Sequence, residues 1–249
     1  MPFVSAAGAR LAYRGEEEGE RGVVFVHGAG QSSLTFLRVL TLLAKDGLRP
    51  LALDLPGHGK SAGPAPASIE ESREALRAFV AAMSLDRPIL VGHSMGAAVV
   101  LDYALAYPGD ASGLVLAAGA PSFAGQGAVV RMLDEKPGAF QRDFAARAFA
   151  RSLSAGDALA ATKELLAAPP EVVRKDFAAC DRFNVRHRLG DVITPALVVA
   201  GKDDRVVAAP DAKVLATELR DARLVELAGG HMLPYEQPAA FASAIVTFA

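Results

Sequence analysis

Ile89-Leu90-Val91-Gly92-His93-Ser94-Met95-Gly96 reads as a buried strand that runs into a sharp turn and then a helix. Three apolar residues with no polar alternation suit a strand covered on both faces, as in a parallel sheet. The pentapeptide Gly92 to Gly96 fits G-x-S-x-G in the setting that pattern needs, since a helical stretch follows from Met95 to Tyr107 and stops at Pro108-Gly109. Both glycines have a physical reason. On so tight a turn, side chains two residues either side of the serine would collide with neighbouring backbone. The turn lifts the Ser94 hydroxyl off the sheet, and the helix amino terminus beneath it favours developing negative charge.

Outward from this segment, strands alternate with helices. Val23 to Val26 is a strand ending at His27-Gly28, and a helix follows from about Thr35 to Ala44. Leu51 to Leu53 is the next strand, closed by Asp54-Leu55-Pro56-Gly57. Ser68 with Glu71 three residues on reads as a capping box, and Leu76, Phe79, Val80 and Met83 share the face of the helix it opens. Leu114 to Leu116, Ala196 to Ala200 and Leu224 to Leu227 are further strands, the last two separated by a helix from near Asp211, and Pro238 begins a final helix. Phe3 to Ser5 and Arg10 to Ala12, around Gly8-Ala9, form an edge hairpin. The pattern predicts an α/β fold with a mostly parallel eight-stranded sheet and helices on both faces. Residues 121–190 break the alternation with helical spacing only, as in Val129, Met132 and Leu133, and predict three or four short helices inserted between two strands. The core is then 1–120 together with 191–249.

Ligands of an open parallel sheet bind beyond the carboxyl ends of its strands. Ser94 stands at one such end. A serine hydroxyl is a weak nucleophile and needs a base. His231, in Ala228-Gly229-Gly230-His231-Met232, follows the last strand through two glycines, and Gly201-Lys202-Asp203-Asp204 puts carboxylates at the end of the strand before. The chain order serine, acid, histidine, as Ser94, Asp204 and His231, is that of one known triad fold and differs from both protease orders. His27-Gly28-Ala29-Gly30 permits a loop whose amides point inward. Ala29 N–H is the expected first oxyanion donor and Met95 N–H the second, with His27 holding the loop rather than acting as base.

Composition narrows the alternatives. Lysine and arginine number 26 against 28 acidic residues, for a net charge of -2, so bulk attraction to nucleic acid is not expected. One cysteine, Cys180, makes neither an internal disulfide nor a cysteine metal cage. No metal site, cofactor or membrane span is expected, and the start Met1-Pro2-Phe3-Val4-Ser5 lacks the marks of a signal peptide, so the default location is the cytoplasm. Gly28-x-Gly30-x-x-Ser33 with Asp54 downstream imitates a dinucleotide fingerprint, but Ser33 replaces its third small residue. Gly59-Lys60-Ser61 imitates a phosphate loop, but Asp54 occupies the position of the first glycine that loop requires.

With His27-Gly28-Ala29-Gly30, Asp54-Leu55-Pro56-Gly57-His58-Gly59-Lys60-Ser61, the serine pentapeptide, Gly201-Lys202-Asp203-Asp204 and Gly230-His231-Met232-Leu233-Pro234, the chain resembles the α/β-hydrolase superfamily over nearly its whole length. The resemblance implies that 121–190 is a helical cap over the pocket, and it favours Asp204 over Asp203 as the acid. It implies a serine hydrolase that cleaves a small carboxylic ester through an acyl-enzyme. A C–C bond hydrolase acting on a vinylogous β-keto acid is the alternative, and a triad-bearing ligand receptor a third reading. Phe123, Met132, Phe144, Phe177, Val206 and Met232 are the expected substrate-binding side chains, and the expected partner is a small molecule.

Overall fold

A computed structural model describes residues 1–123 and 125–249. Eight strands form one sheet in the order β1-β2-β4-β3-β5-β6-β7-β8. β1 (Phe3–Ala6) and β2 (Ala9–Gly15) pair antiparallel, and β2 lies antiparallel to β4 (Arg49–Leu53). β3 (Gly22–Val26), β5 (Ile89–His93), β6 (Gly113–Ala117), β7 (Ala196–Gly201) and β8 (Ala222–Leu227) continue the sheet in parallel from β4.

The strand period of two sorts the apolar residues into two layers. In β3, Val24 and Val26 join one core cluster while Val23 and Phe25 join the other. β5 and β7 divide likewise, with Leu90 and Val198 on the first face and Ile89, Val91, Leu197 and Val199 on the second. The first face is covered by α2 (Ile69–Ala82), α3 (Met95–Ala106) and α8 (Ala209–Glu218). The second is covered by α1 (Leu37–Lys45) and α10 (Pro238–Phe248), with the single turn α9 (Leu233–Glu236) before it. Each fully buried valine, leucine or phenylalanine in these layers contributes roughly 1.5–3 kcal/mol.

Local signals explain several element ends. Ser68 caps α2 by accepting from Glu71 N–H at 3.2 Å, and the Glu71 carboxylate accepts from Ala67 N–H at 2.7 Å. The helix expected from Thr35 is divided in two. Ser32 caps a 3-10 turn over Ser33–Phe36, and α1 follows only at Leu37.

Among the described residues, four α-helices lie between β6 and β7: α4 (Gly127–Glu135), α5 (Pro137–Ala148), α6 (Ala155–Leu165) and α7 (Pro170–Arg182). Their apolar faces build a third cluster around Phe140, Phe144, Phe149, Leu165 and Val173, which Met232 of the core joins. The two ends of this insertion are tied together. Ser122 bridges Asn184, and Val185 N–H donates to Pro121 C=O at 2.9 Å. No helix among the described residues is long and apolar enough to cross a membrane.

Candidate active site

The turn after β5 puts Ser94 at φ 55° and ψ -117°, a left-handed conformation that costs a non-glycine residue about 1–3 kcal/mol. Surrounding contacts impose it. Ser94 N–H donates to Ala117 C=O at 2.9 Å, and Ser94 C=O accepts from Ala97 N–H at 2.9 Å. A Cβ on Gly92 would meet the Gly96 carbonyl oxygen at 2.1 Å, and one on Gly96 would meet that of Val26 at 2.0 Å. These two positions admit glycine only, because α3 crosses the sheet against bare backbone.

The loops after β7 and β8 are locked to each other. A Cβ on Gly201 would stand 2.1 Å from the Gly230 carbonyl oxygen, and Asp203 N–H donates to Gly229 C=O at 2.8 Å. This seating brings His231 Nδ1 to 2.9 Å from Asp204 Oδ2, with side-chain exposures of 1% and 5%. The other oxygen of Asp204 accepts from Val206 N–H at 2.8 Å and Val207 N–H at 2.9 Å. Burial alone would raise the Asp204 pKa. The His231 ring and the two amides outweigh it, so the carboxyl titrates below its usual range and is ionised at neutral pH. Asp203 is exposed, and the described side-chain contact to His231 is that of Asp204.

The His231 backbone is anchored on three sides. Its N–H donates to Ala148 C=O at 2.6 Å, its C=O accepts from His93 Nε2 at 2.8 Å, and Glu236 accepts from the preceding Gly230 N–H at 3.0 Å. The same Glu236 carboxylate accepts from Ala150 N–H at 2.8 Å, so one side chain joins the histidine loop to the end of α5. Among the described residues the Ser94 hydroxyl has no hydrogen bond to His231.

His27, fully buried, donates from Nδ1 to Gly28 C=O at 2.9 Å and accepts Leu55 N–H on Nε2 at 3.1 Å. Burial pushes it, and likewise His93, down to about 3, so both rings are neutral at pH 7. A Cβ on Gly28 would lie 2.9 Å from Gln31 Nε2 and 3.1 Å from Ser94 Cβ, so this loop packs directly on the serine. Among the described residues, neither Ala29 N–H nor Met95 N–H donates a hydrogen bond. The two amides come from the loops after β3 and β5.

Ser94 and Ala29 border a narrow cavity of about 30 Å³, room for about two waters. Of the six side chains expected at the pocket, Phe123, Phe144, Phe177 and Val206 line it. Met132 and Met232 do not. Met132 packs into the cluster of the inserted helices, and Met232 is fully buried there, its sulfur 3.7 Å from Gln31 Nε2. Gln31, Gln126, Cys180 and Val207 also line the cavity. Burial pushes the Cys180 thiol up, so it stays protonated. A separate depression of about 530 Å³ lies between α5, α6 and Arg205 and is lined by neither Ser94 nor His231.

Three residues with structural weight carried no local signal. Gln31 Oε1 accepts from Thr35 Oγ1 at 3.0 Å and Gly28 N–H at 3.3 Å, and lies 3.2 Å from His93 Nδ1. Asp176 and Glu236 each bridge the insertion to the core. The dinucleotide imitation also has its explanation. Asp54 accepts from Ser33 N–H at 2.7 Å and Lys60 N–H at 2.9 Å, so its carboxylate is committed to the backbone of two loops.

The model of a family described as "Alpha/beta hydrolase family" matches residues 23–244. A 2-hydroxy-6-oxo-6-(2'-aminophenyl)hexa-2,4-dienoic acid hydrolase of Metapseudomonas resinovorans is 27% identical over 275 aligned residues, covering 99% of this chain and 89% of that protein. An esterase from Exiguobacterium antarcticum superposes with a TM-score of 0.90 at 21% identity, over 99% of this chain and 98% of that one. The enol-lactonase of Burkholderia xenovorans LB400 superposes with a TM-score of 0.90 at 22% identity, over 99% of each chain. At those identities the two structural likenesses are likenesses of fold.

Proposed function

We propose that this chain, which belongs to the alpha/beta hydrolase family, is a serine hydrolase that cleaves small neutral carboxylic esters. In this reading Ser94 attacks the acyl carbonyl while His231 Nε2 takes its proton. Asp204 holds the imidazole by its Nδ1–H and stabilises the cation that forms. The alcohol leaves with the proton from His231. Water, deprotonated by the same ring, then releases the acid from the acyl-enzyme. The amides of Ala29 and Met95 receive the oxyanion, where each donor is worth about 2.7–4 kcal/mol. The missing serine–histidine hydrogen bond fits a free site, since such contacts often tighten only once substrate is bound.

The observation that carries the substrate class is the cavity wall. Its polar side chains are Ser94, Gln31 and Gln126, the rest is apolar, and no lysine, arginine or histidine lies among the described lining residues. A dienoic acid of the kind named for the Metapseudomonas relative carries a carboxylate, and burying it there without a cation would cost several kcal/mol. An uncharged acyl group meets no such penalty. Phe144, Phe177 and Cys180 of the insertion line the narrow cavity beside Ser94, and in this reading the inserted helices act as a cap that loosens to admit substrate.

A panel of p-nitrophenyl esters set against ring-fission dienoic acids tests this reading. Turnover of short neutral esters at least 100-fold above that of the dienoic acids is the expected result. The reverse ranking would assign C–C bond hydrolysis instead.

A further inference from the structure

Gly30 directly follows the amide proposed as the first oxyanion donor, and the inserted helices grip it from three directions. Its N–H donates to Asp176 Oδ2 of α7 at 2.7 Å. Its C=O accepts from Ala168 N–H, just before α7, at 3.2 Å. A Cβ on its left-handed backbone, at φ 68°, would stand 2.9 Å from Val173 Cγ2 of the same helix. The preceding peptide is held from the core, where Gly28 C=O accepts from His27 Nδ1 and from Gln31 N–H at 3.1 Å. Ala29 is therefore suspended between one peptide fixed by the sheet domain and one fixed by the insertion.

The Asp176 contact is a built one. The same Oδ2 lies 2.9 Å from His58 Nε2, and the two side chains are 3% and 0% exposed. His58 Nδ1 donates to Pro56 C=O at 3.0 Å, so both ring nitrogens face acceptors, as an imidazolium requires. Burial disfavours that cation, but the Asp176 hydrogen bond and charge outweigh it and raise the His58 pKa, with Asp54 adding to the effect. The neutral His27 ring, at 4.8 Å, and the Cys180 thiol, which the Asp176 charge helps keep protonated, complete the surroundings.

We infer that Asp176 is a positioning residue: while α7 is seated on the core it fixes the Ala29–Gly30 peptide, and so steadies the adjoining, core-held Ala29 amide for the oxyanion. The inference rests on the proposed hydrolase reading. It adds that a loosened cap leaves the oxyanion loop held from the core alone. Transition-state stabilisation at Ala29 then draws on a carboxylate that acts through the neighbouring peptide.

Asp176→Ala and Asp176→Asn are compared with the wild type for kcat and KM on p-nitrophenyl acetate and for inhibition by an alkyl trifluoromethyl ketone, which forms a tetrahedral oxyanion on serine. Glu171→Ala, on the exposed part of the same helix, is the control. Asp176→Ala is expected to lower kcat about 10- to 100-fold with KM within threefold, below the full loss of one donor. The ketone should weaken by a similar factor, Asp176→Asn should fall between, and the control should be unchanged. Should Asp176→Ala fail to fold, the asparagine variant carries the test. A folded variant with kcat within twofold of wild type overturns the inference and leaves the hydrolase reading standing. So does a loss confined to KM or to thermal stability, including failure of both variants to fold. A wild type that neither turns over the ester nor binds the ketone overturns the hydrolase reading, and the inference falls with it.

Discussion

Asp204 Oδ2 and His231 Nδ1 lie 2.9 Å apart in a nearly dry contact, although they belong to different loops of the sheet. Asp204 is held independently of the histidine by the amides of Val206 and Val207. The carboxylate is thus a fixed reference against which the imidazole is oriented. Asp204→Asn keeps a similar shape but presents the ring with an amide, which favours the wrong tautomer. Ester turnover should fall by about 10³- to 10⁴-fold with the far-ultraviolet circular dichroism unchanged. Turnover within a few-fold of wild type would remove Asp204 from the proposed mechanism.

The glycines of the serine turn make a prediction about folding. Gly96→Ala would push a methyl group to 2.0 Å from the Val26 carbonyl oxygen, in the middle of the sheet. The backbone must move, and urea unfolding should show a loss above about 3 kcal/mol, or no folded protein. Gly190→Ala, where nothing lies within 4 Å, should stay within about 0.5 kcal/mol of wild type. Equal midpoints for the two variants would contradict the packing described for α3.

Two neutral buried histidines set an acid limit on stability. The folded pKa values of His27 and His93 are lowered to about 3, below the unfolded value, so the unfolded chain binds their protons first as pH falls. Their contribution is full above about pH 6.5 and is lost progressively towards pH 3. Between pH 6 and 5 each ring should cost stability at up to about 1.4 kcal/mol per pH unit. Urea midpoints measured across that window should drop steeply. A flat profile would contradict neutral burial of the two rings.

The cavity wall predicts how acyl length is read. Phe177 and Phe144 close the space beside Ser94. Phe177→Ala should shift preference from acetate towards hexanoate esters by about 10-fold or more in relative kcat/KM, since one methylene in such a pocket changes discrimination by about 10- to 200-fold. An unchanged chain-length profile would place substrate elsewhere.

What the sequence made legible follows from the range of each interaction. Gly92 and Gly96 are demanded by a turn spanning five residues, so the pattern is local, and central strands such as β3 and β5 declare themselves by apolar runs. The glycines around His231 and Asp204 similarly mark two loops that must approach each other. Gln31, Asp176 and Glu236 gave no such sign, because each acts through partners remote in the chain, as Asp176 does on Gly30 and His58. Met232 shows the limit of adjacency. It neighbours His231 in sequence, but its side chain turns into the cluster of the inserted helices instead of the cavity. Met132 obeys helical periodicity, yet periodicity alone does not say which side of an inserted helix meets the ligand.

The proposed chemistry rests on Ser94 acting as nucleophile under the control of His231. Incubation with a fluorophosphonate, followed by intact-mass and peptide mass spectrometry, reads this directly. One adduct on Ser94, formed as ester hydrolysis is lost, absent in Ser94→Ala and slowed by about 10³-fold or more in His231→Ala, is the predicted result. Stoichiometric modification elsewhere, or full esterase activity in Ser94→Ala, would contradict it.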